Sequence, residues 1–183
     1  MTFLVSGLIV FFLMHLLPST SLKISLVSNV GEVPYKIGFS LVSLTGLGLI
    51  IYGYSLSSFE ALWLPPAWGS MILMLVMPIV CILWVAAEVP NNIKRFIRHP
   101  MLTAMIIWGV GHLIANGDLA SSLIFASFTI FSIVNILLVN KRSEFKPHDS
   151  VSKIWDLGVV IGGLLVYGLI FYFHGTITGM PLY

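Results

Sequence analysis

The stretch GSMILMLVMPIVCILWVAAEV, residues 69–89, carries no charged side chain before Glu88. Its apolar residues follow one another without the period of two that marks a half-buried β-strand. About 20 consecutive apolar residues are what an α-helix needs to cross the hydrocarbon core of a bilayer. The stretch therefore predicts a transmembrane helix, and its lack of alternation argues against a transmembrane β-barrel.

The composition of the whole chain points to the same class of protein. Of its 183 residues, 58% are hydrophobic and 9% are charged, whereas a soluble domain carries about 25% charged residues. Backbone groups in hydrocarbon must bond to one another, so each apolar run is expected to be helical. The other five runs cover residues 2–17, 37–56, 100–115, 119–140 and 155–173. The predicted fold is an all-α integral membrane protein with six transmembrane helices, in one domain over residues 1–183.

The distribution of positive charge predicts the orientation of these helices. All 9 Lys and Arg residues fall between spans one and two, three and four, or five and six. Because cytoplasmic loops carry the excess of Lys and Arg, these three loops are predicted to be cytoplasmic and both termini to lie on the outer, periplasmic side. A net charge of +2 is too small to indicate nucleic acid as a partner. The lipid bilayer is the expected partner.

Polar residues interrupt the segment RHPMLTAMIIWGVGHLIANGD, which begins at Arg98 at the predicted cytoplasmic edge. Pro100 suits the first position of a helix, where its missing N–H group has no partner to lose. Asn116 and Gly117 are expected to end that helix, with Gly117 in the left-handed conformation. Asp118 is expected to cap the next helix. These residues therefore predict a tight hairpin between spans four and five.

The histidines suggest a function as well as an architecture, because ionisable residues at membrane depth are rare and mark functional sites. Four of the five are predicted in spans or at their ends: His15, His99, His112 and His174. His112 shares a helical face with Trp108 and Asn116, which are four residues away on either side. The sequence contains no zinc-type Cys/His spacing and no phosphate-binding loop. Two interpretations stay open: metal coordination by neutral imidazoles from different helices, or interfacial histidines that hydrogen-bond a carbonyl oxygen.

The depth of each histidine in the membrane indicates which pairs can share one metal. From His99 to His112 the helix rises about 20 Å. The predicted topology places His15 near the cytoplasmic edge and His112 near the outer edge. By depth alone His15 pairs with His99, and His112 pairs with His174. A displaced or tilted first span would instead bring His15 to the depth of His112, so these alternatives stay open.

Six short segments can be compared with known families: MHLLP (14–18), GEVPYKIGFSLVSL (31–44), YGY (52–54), PPAW (65–68), NNIKRFIRHPML (91–102) and WGVGHLIANGDLAS (108–121). Taken together and in this order, they resemble the NnrU family of bacterial membrane proteins. The resemblance implies the bacterial inner membrane and a link to nitrite and nitric-oxide metabolism in denitrification. That family is similar in turn to zeta-carotene isomerase, a membrane enzyme that contains heme b.

The resemblance also implies a cofactor and its ligands. The heme-binding histidines of the isomerase match His15 and His112, which are therefore expected to hold heme b. Trp108 is expected either to pack beside the macrocycle or to be a plain core or interfacial aromatic residue. Asn116, on the same helical face, is a further candidate cofactor-binding residue. Arg98 is placed either to neutralise a heme propionate or to mark the cytoplasmic face. An activity, if there is one, would be that of a heme-dependent isomerase or oxidoreductase.

Other functions remain open at this point. A cysteine of the isomerase implicated in redox-dependent ligand exchange corresponds to Gly109, so carotenoid isomerisation is not expected to transfer. The segment RHPMLTA is similar to a cofactor-binding motif of isoprenylcysteine methyltransferases and sterol reductases, but Leu102 and Ala104 replace its aromatic residue and glycine. The main alternative is a non-catalytic assembly or maturation factor for a respiratory nitrite or nitric-oxide reductase complex.

The predicted topology can be tested without reference to any family. Reporter fusions should place residues 19–36, 90–98 and 141–153 in the cytoplasm and both termini outside, because positive loops are retained there. Alkaline phosphatase and green fluorescent protein fusions at each loop measure this. A cytoplasmic C-terminus would show that the orientation and the depth pairing of the histidines are wrong.

Overall fold

A computed structural model describes residues 1–142 and 144–180 of the chain. The helices in these residues are α1 (Thr2–Leu16), α2 (Leu22–Val30), α3 (Glu32–Ser55), α4 (Gly69–Glu88), α5 (Pro100–Ala115), α6 (Leu119–Arg142) and α7 (Lys153–Thr178). Single turns of 3-10 helix follow α1 at Leu17–Ser19 and α4 at Ile93–Arg95. No β-strand occurs in the described residues, and the prediction of an all-α fold is confirmed there.

Five helices in the described part of the chain are long and apolar enough to cross a membrane: α1, α3, α4, α6 and α7. Each predicted span coincides with one helix, although α5 has only 16 residues, fewer than the roughly 20 that a span usually needs. Large apolar side chains are exposed on these helices, among them Leu75 at 68% and Leu165 at 64%. Lipid covers such a surface in a membrane protein. The chain is a helical membrane protein, and the count of six spans and their orientation remain predictions.

Helix α2 was not predicted from the sequence. It occupies nine residues of the loop between the first two predicted spans, far fewer than a span requires. Its apolar side chains Leu22, Ile24 and Val30 are exposed. Gly31, with a φ of +87°, separates α2 from α3. A Cβ atom strains the backbone at this φ, so glycine is the residue that suits the break.

The described helices form two compact units. The first contains Met1–Trp63 and Gly117–Ser127, and in it α1 packs along α3. The second contains Leu64–Asn116 and the chain from Phe128 onward, and in it α4 packs against both α5 and α7. The buried core of the second unit consists of Leu73, Met77, Val80, Cys81, Leu83 and Ala104.

The prediction of a left-handed Gly117 is wrong. Helix α5 ends with Asn116 in an extended conformation, at φ −123° and ψ 133°, and Gly117 is not among the glycines with a positive φ. The carbonyl oxygen of Gly117 accepts hydrogen bonds from the backbone N–H groups of Leu62 and Trp63, at 2.7 and 3.2 Å. An extended chain is required here because its backbone bonds to another segment instead of folding back on the helix.

The two helix starts predicted for this region are confirmed. Helix α5 begins at Pro100. The Oδ1 atom of Asp118 accepts a hydrogen bond from the backbone N–H of Ser121 at 2.9 Å, which is the bond expected of a residue that caps α6. Asp118 is buried, so this bond also satisfies a carboxylate that is shielded from water.

Glycines let α1 and α3 approach closely in the first unit. A Cβ atom at Gly46 would lie 2.9 Å from the backbone nitrogen of Phe11, and one at Gly53 would overlap the backbone of Leu4. Small residues at such contacts are the usual means by which helices pack in a membrane, where water does not drive them together. The packing of α1 on α3 therefore depends on having glycine, which carries no side chain, at these contacts.

We expect Gly53→Val to lower the free energy of unfolding by about 1–3 kcal/mol, because a side chain there must displace the backbone of α1. Gly48 lies on the same helix, and a Cβ atom there would meet nothing within 4 Å. Gly48→Ala is therefore the matched control and should be neutral or stabilising by up to about 1 kcal/mol. Thermal unfolding of the detergent-purified protein measures both. Equal stability of Gly53→Val and wild type would contradict the close packing.

Candidate functional site

His112 lies on the last turn of α5, in the second unit. Its Nδ1 atom is 2.8 Å from the carbonyl oxygen of Trp108. Because a carbonyl oxygen only accepts hydrogen bonds, Nδ1 donates and Nε2 carries the lone pair that a metal requires. The Trp108 ring lies 5.1 Å from the imidazole, centroid to centroid, and also contacts the edge of Phe128. The bond and the ring contact together restrict how the imidazole can turn.

His15 has the same arrangement on α1, in the first unit. Its Nδ1 donates to the carbonyl oxygen of Phe11 at 2.7 Å. The imidazole stacks on the Phe11 ring at 4.0 Å and meets the edge of Phe39 at 5.3 Å. His15 thus also presents Nε2 as its lone-pair nitrogen.

The structure places His112 near His174, which is one of the two pairs that depth alone predicts. Both line a small cavity in the second unit, with Tyr167, Met74 and Met77 among its other walls. The Nδ1 atom of His174 lies 2.9 Å from the carbonyl oxygen of Met180. The cavity measures about 30 Å³. That volume accommodates one water molecule or one ion.

Asn116 has a structural role in the described conformation. Its Nδ2 atom donates to the carbonyl oxygen of His112 at 2.9 Å. The backbone N–H of Asn116 donates to the same carbonyl at 2.8 Å. Carbonyl groups in the last turn of a helix have no partner within the helix, so these bonds complete the end of α5.

A second, larger pocket lies at the opposite end of α5. It measures about 340 Å³ and is lined by residues that include Lys94, Arg98, His99 and His148. The Nε2 atom of His99 is 3.0 Å from Oδ1 of Asn140. The guanidinium carbon of Arg98 lies 5.8 Å from the centre of the Phe145 ring. Two of the predicted residues, Arg98 and His99, therefore belong to this pocket.

Two asparagines that were not singled out from the sequence position the pocket. Asn91 is 3% exposed, and its Nδ2 donates to the carbonyl oxygens of Ala86 and Val89, both at 2.7 Å. Its Oδ1 accepts from the backbone N–H of Lys94 at 3.2 Å. In the sequence, the only signal was a pair of adjacent amide side chains between two apolar runs. Amides in such a place indicate side chains that need hydrogen-bond partners.

Asn92 connects the same turn to the start of α7. Its backbone N–H and its Nδ2 donate to the two carboxylate oxygens of Asp156, both at 2.7 Å. Its side chain also exchanges hydrogen bonds with the backbone of Val151, at 2.9 and 3.0 Å. Four hydrogen bonds from one residue therefore hold the turn after α4 to the segment that leads into α7.

Within residues 1–142 and 144–180, no cluster of three or more His, Cys, Asp or Glu side chains is arranged to hold a metal ion. A heme iron needs only one or two protein ligands, so a heme would not require such a cluster.

The family to which the chain belongs follows from a profile match. The profile described as NnrU protein matches residues 3–182, nearly the whole chain. The chain belongs to the NnrU family. No curated protein and no solved structure is significantly similar to this NnrU protein. The match identifies the family, whereas the roles of individual residues must be argued from their contacts.

Asn91→Ala should lower the free energy of unfolding by about 1–3 kcal/mol, because it leaves buried backbone groups without partners. Asn91→Asp should lower the free energy of unfolding further, because it replaces the NH2 donor with a carboxylate oxygen that faces two carbonyl oxygens. Asn29 is exposed on α2, and Asn29→Asp serves as the control. Thermal unfolding in detergent gives the order of stabilities. If Asn91→Asp matched Asn29→Asp, the hydrogen bonds of Asn91 would not be holding this turn.

Proposed function

We propose that this NnrU protein binds heme b through His112 and His15 in the bacterial inner membrane and acts in redox metabolism related to nitric oxide. The observation that supports the proposal is that both imidazoles donate Nδ1–H to a carbonyl oxygen, although His174 is bonded to Met180 in the same way. Each donates Nδ1–H to the carbonyl oxygen four residues earlier, at 2.7 Å for His15 and 2.8 Å for His112. Histidines that ligate metals almost always donate their other N–H in this way.

The surroundings of His15 also suit a bound group with a polar part. Phe39 meets the edge of His15 and lies 6.4 Å from the ring of Tyr35. The hydroxyl of Tyr35 is buried and has no hydrogen-bond partner among the described residues. A buried polar atom without a partner costs free energy, so a ligand group that bonds to it would be stabilising.

The choice of His15 as the second ligand rests on the resemblance to the heme-containing isomerase. The cavity that His112 shares with His174 measures about 30 Å³, a volume suited to one water molecule or one ion. Arg98 lies at the other end of α5 from His112, about 20 Å of helix rise away, and is left out of the proposed heme contacts.

Bound heme would supply a redox-active iron, and the protein would tune it through its ligands and their hydrogen bonds. The chain's own part is to orient the imidazoles and restrict their rotation. Trp108 and Phe11 supply the carbonyl oxygens and also the rings that lie against the imidazoles. This double contact uses the i, i+4 spacing that places two side chains on one helical face.

Heme content tests the proposal directly. Wild type, purified in detergent, should give a pyridine hemochrome spectrum of heme b. His15→Ala and His112→Ala should each weaken heme binding by about 10–100-fold or more, since even loss of an outer-shell partner has an effect of that size. The Soret band of any heme that remains should shift toward a five-coordinate species. His148→Ala, in the polar loop, is the control and should keep the wild-type spectrum, as should His174→Ala.

Each other outcome has a definite meaning. Loss of heme in His112→Ala and His174→Ala would favour the pair that shares the small cavity, and loss in His15→Ala and His99→Ala would favour the other depth pair. If wild type binds no heme, or if all five single substitutions keep an unchanged spectrum, the heme proposal is wrong. The protein would then be better explained as an assembly or maturation factor for a respiratory nitrite or nitric-oxide reductase.

A further inference from the structure

The basic pocket at the start of α5 has the properties of an anion-binding site. Four of its lining residues carry basic nitrogen side chains: Lys94, Arg98, His99 and His148. No carboxylate is among the lining residues. Lys94 has no carboxylate within salt-bridge distance in the described part of the chain. The ammonium group of Lys94 and the guanidinium group of Arg98 are both positively charged, and an anion between them would lower their mutual repulsion.

The backbone contributes to the same pocket. Pro100 is the first residue of α5, and Met101 and Leu102, which follow it, also line the pocket. The first N–H groups of a helix have no partner within the helix. Helix α5 has no side-chain cap and no acidic residue in its first turn. Its positive end is therefore available to an anion, which the basic side chains would hold from the other sides.

We propose that this basic pocket binds a phosphate group. Phosphate is the anion that best matches a site combining the N–H groups of a helix, a guanidinium and an ammonium, because its several oxygens accept bonds from different directions. The pocket volume of about 340 Å³ leaves room for the group to which the phosphate is attached. The proposal does not depend on heme, since none of the proposed heme ligands lines this pocket.

Two sources can supply the phosphate. The pocket lies where α4 has ended and α5 begins, and both helices are apolar. The ends of apolar helices lie at the level of lipid headgroups, where anionic phospholipids attract basic residues. A soluble phosphate ester would reach the same pocket from the water side. The chemistry of recognition is the same in both cases, and the experiment separates the sources.

The test uses the full chain in detergent and two probes. Native mass spectrometry counts phosphatidylglycerol and phosphatidylcholine bound to the protein, and thermal unfolding compares sodium phosphate with sodium chloride at equal ionic strength. Lys94→Gln and Arg98→Gln should each weaken binding of the favoured probe by about tenfold or more, because each removes a charge-assisted hydrogen bond. Arg95→Gln is the matched control: Arg95 is exposed on the same short turn and does not line the pocket.

The outcomes identify the source or overturn the proposal. Retention of one phosphatidylglycerol in preference to phosphatidylcholine, lost in Lys94→Gln and kept in Arg95→Gln, assigns a lipid headgroup. Stabilisation by inorganic phosphate with the same dependence on Lys94, and no lipid preference, assigns a soluble phosphate ester. If wild type responds to neither probe, or if Arg95→Gln weakens binding as much as Lys94→Gln, there is no phosphate site here. Should Arg98→Gln fail to fold, Arg98→Lys keeps the charge and tests the same contact. Heme content in Lys94→Gln should equal that of wild type, so failure of one proposal is distinguishable from failure of the other.

Discussion

The hydrogen bonds of Asn91 and Asn92 are the constraint on which the polar end of the second unit depends. Asn91 donates to the carbonyl oxygens of Ala86 in α4 and of Val89 just after it, and Asn92 holds the start of α7 through Asp156. A chain that leaves one apolar helix and soon enters another has few residues in which to give its backbone N–H and C=O groups hydrogen-bond partners. A buried amide side chain can provide them, because it carries both donors and an acceptor. The turn that they fix carries Lys94 and leads directly to Arg98. The basic pocket is thus a consequence of how α4 is terminated.

Much of the helical architecture could be predicted because a lipid bilayer imposes simple requirements on a chain that crosses it. Apolar residues continue for the length of a bilayer, and backbone groups in lipid must pair within a helix. Capping chemistry is equally local, which is why the roles of Pro100 and Asp118 could be read from residue type and position. Helix α2 escaped prediction because nine residues show too little periodicity to distinguish a short helix from a loop. Gly117 was predicted wrongly because its conformation is set by hydrogen bonds to Leu62 and Trp63, residues distant in the sequence.

The candidate site could be predicted only as a set of residues. An imidazole at membrane depth is conspicuous in a sequence, so His15, His112 and His174 could be named as candidates. Which of them meet depends on how helices pack, and the spacing of residues along one helix does not contain that information. The structure adds that His112 and His174 share a cavity, and that His15 and His112 each donate Nδ1–H to a carbonyl oxygen. The amide side chains near the pocket were overlooked because a hydrogen-bonding residue in a turn has no periodic signature.

Helix α5 separates two kinds of chemistry. His112 lies on its last turn, among aromatic and apolar side chains, where a neutral imidazole suits a metal. The basic pocket lies at its first turn, where the helix dipole and the side chains favour an anion. About 20 Å of helix rise separates the two ends, and α4 packs alongside α5 in the second unit. The two helices approach closely at Gly111, where a Cβ atom would lie 2.8 Å from Cδ1 of Leu73. Leu73 also lines the cavity of His112. Leu73 thus links the packing of α5 on α4 to the shape of the cavity beside His112.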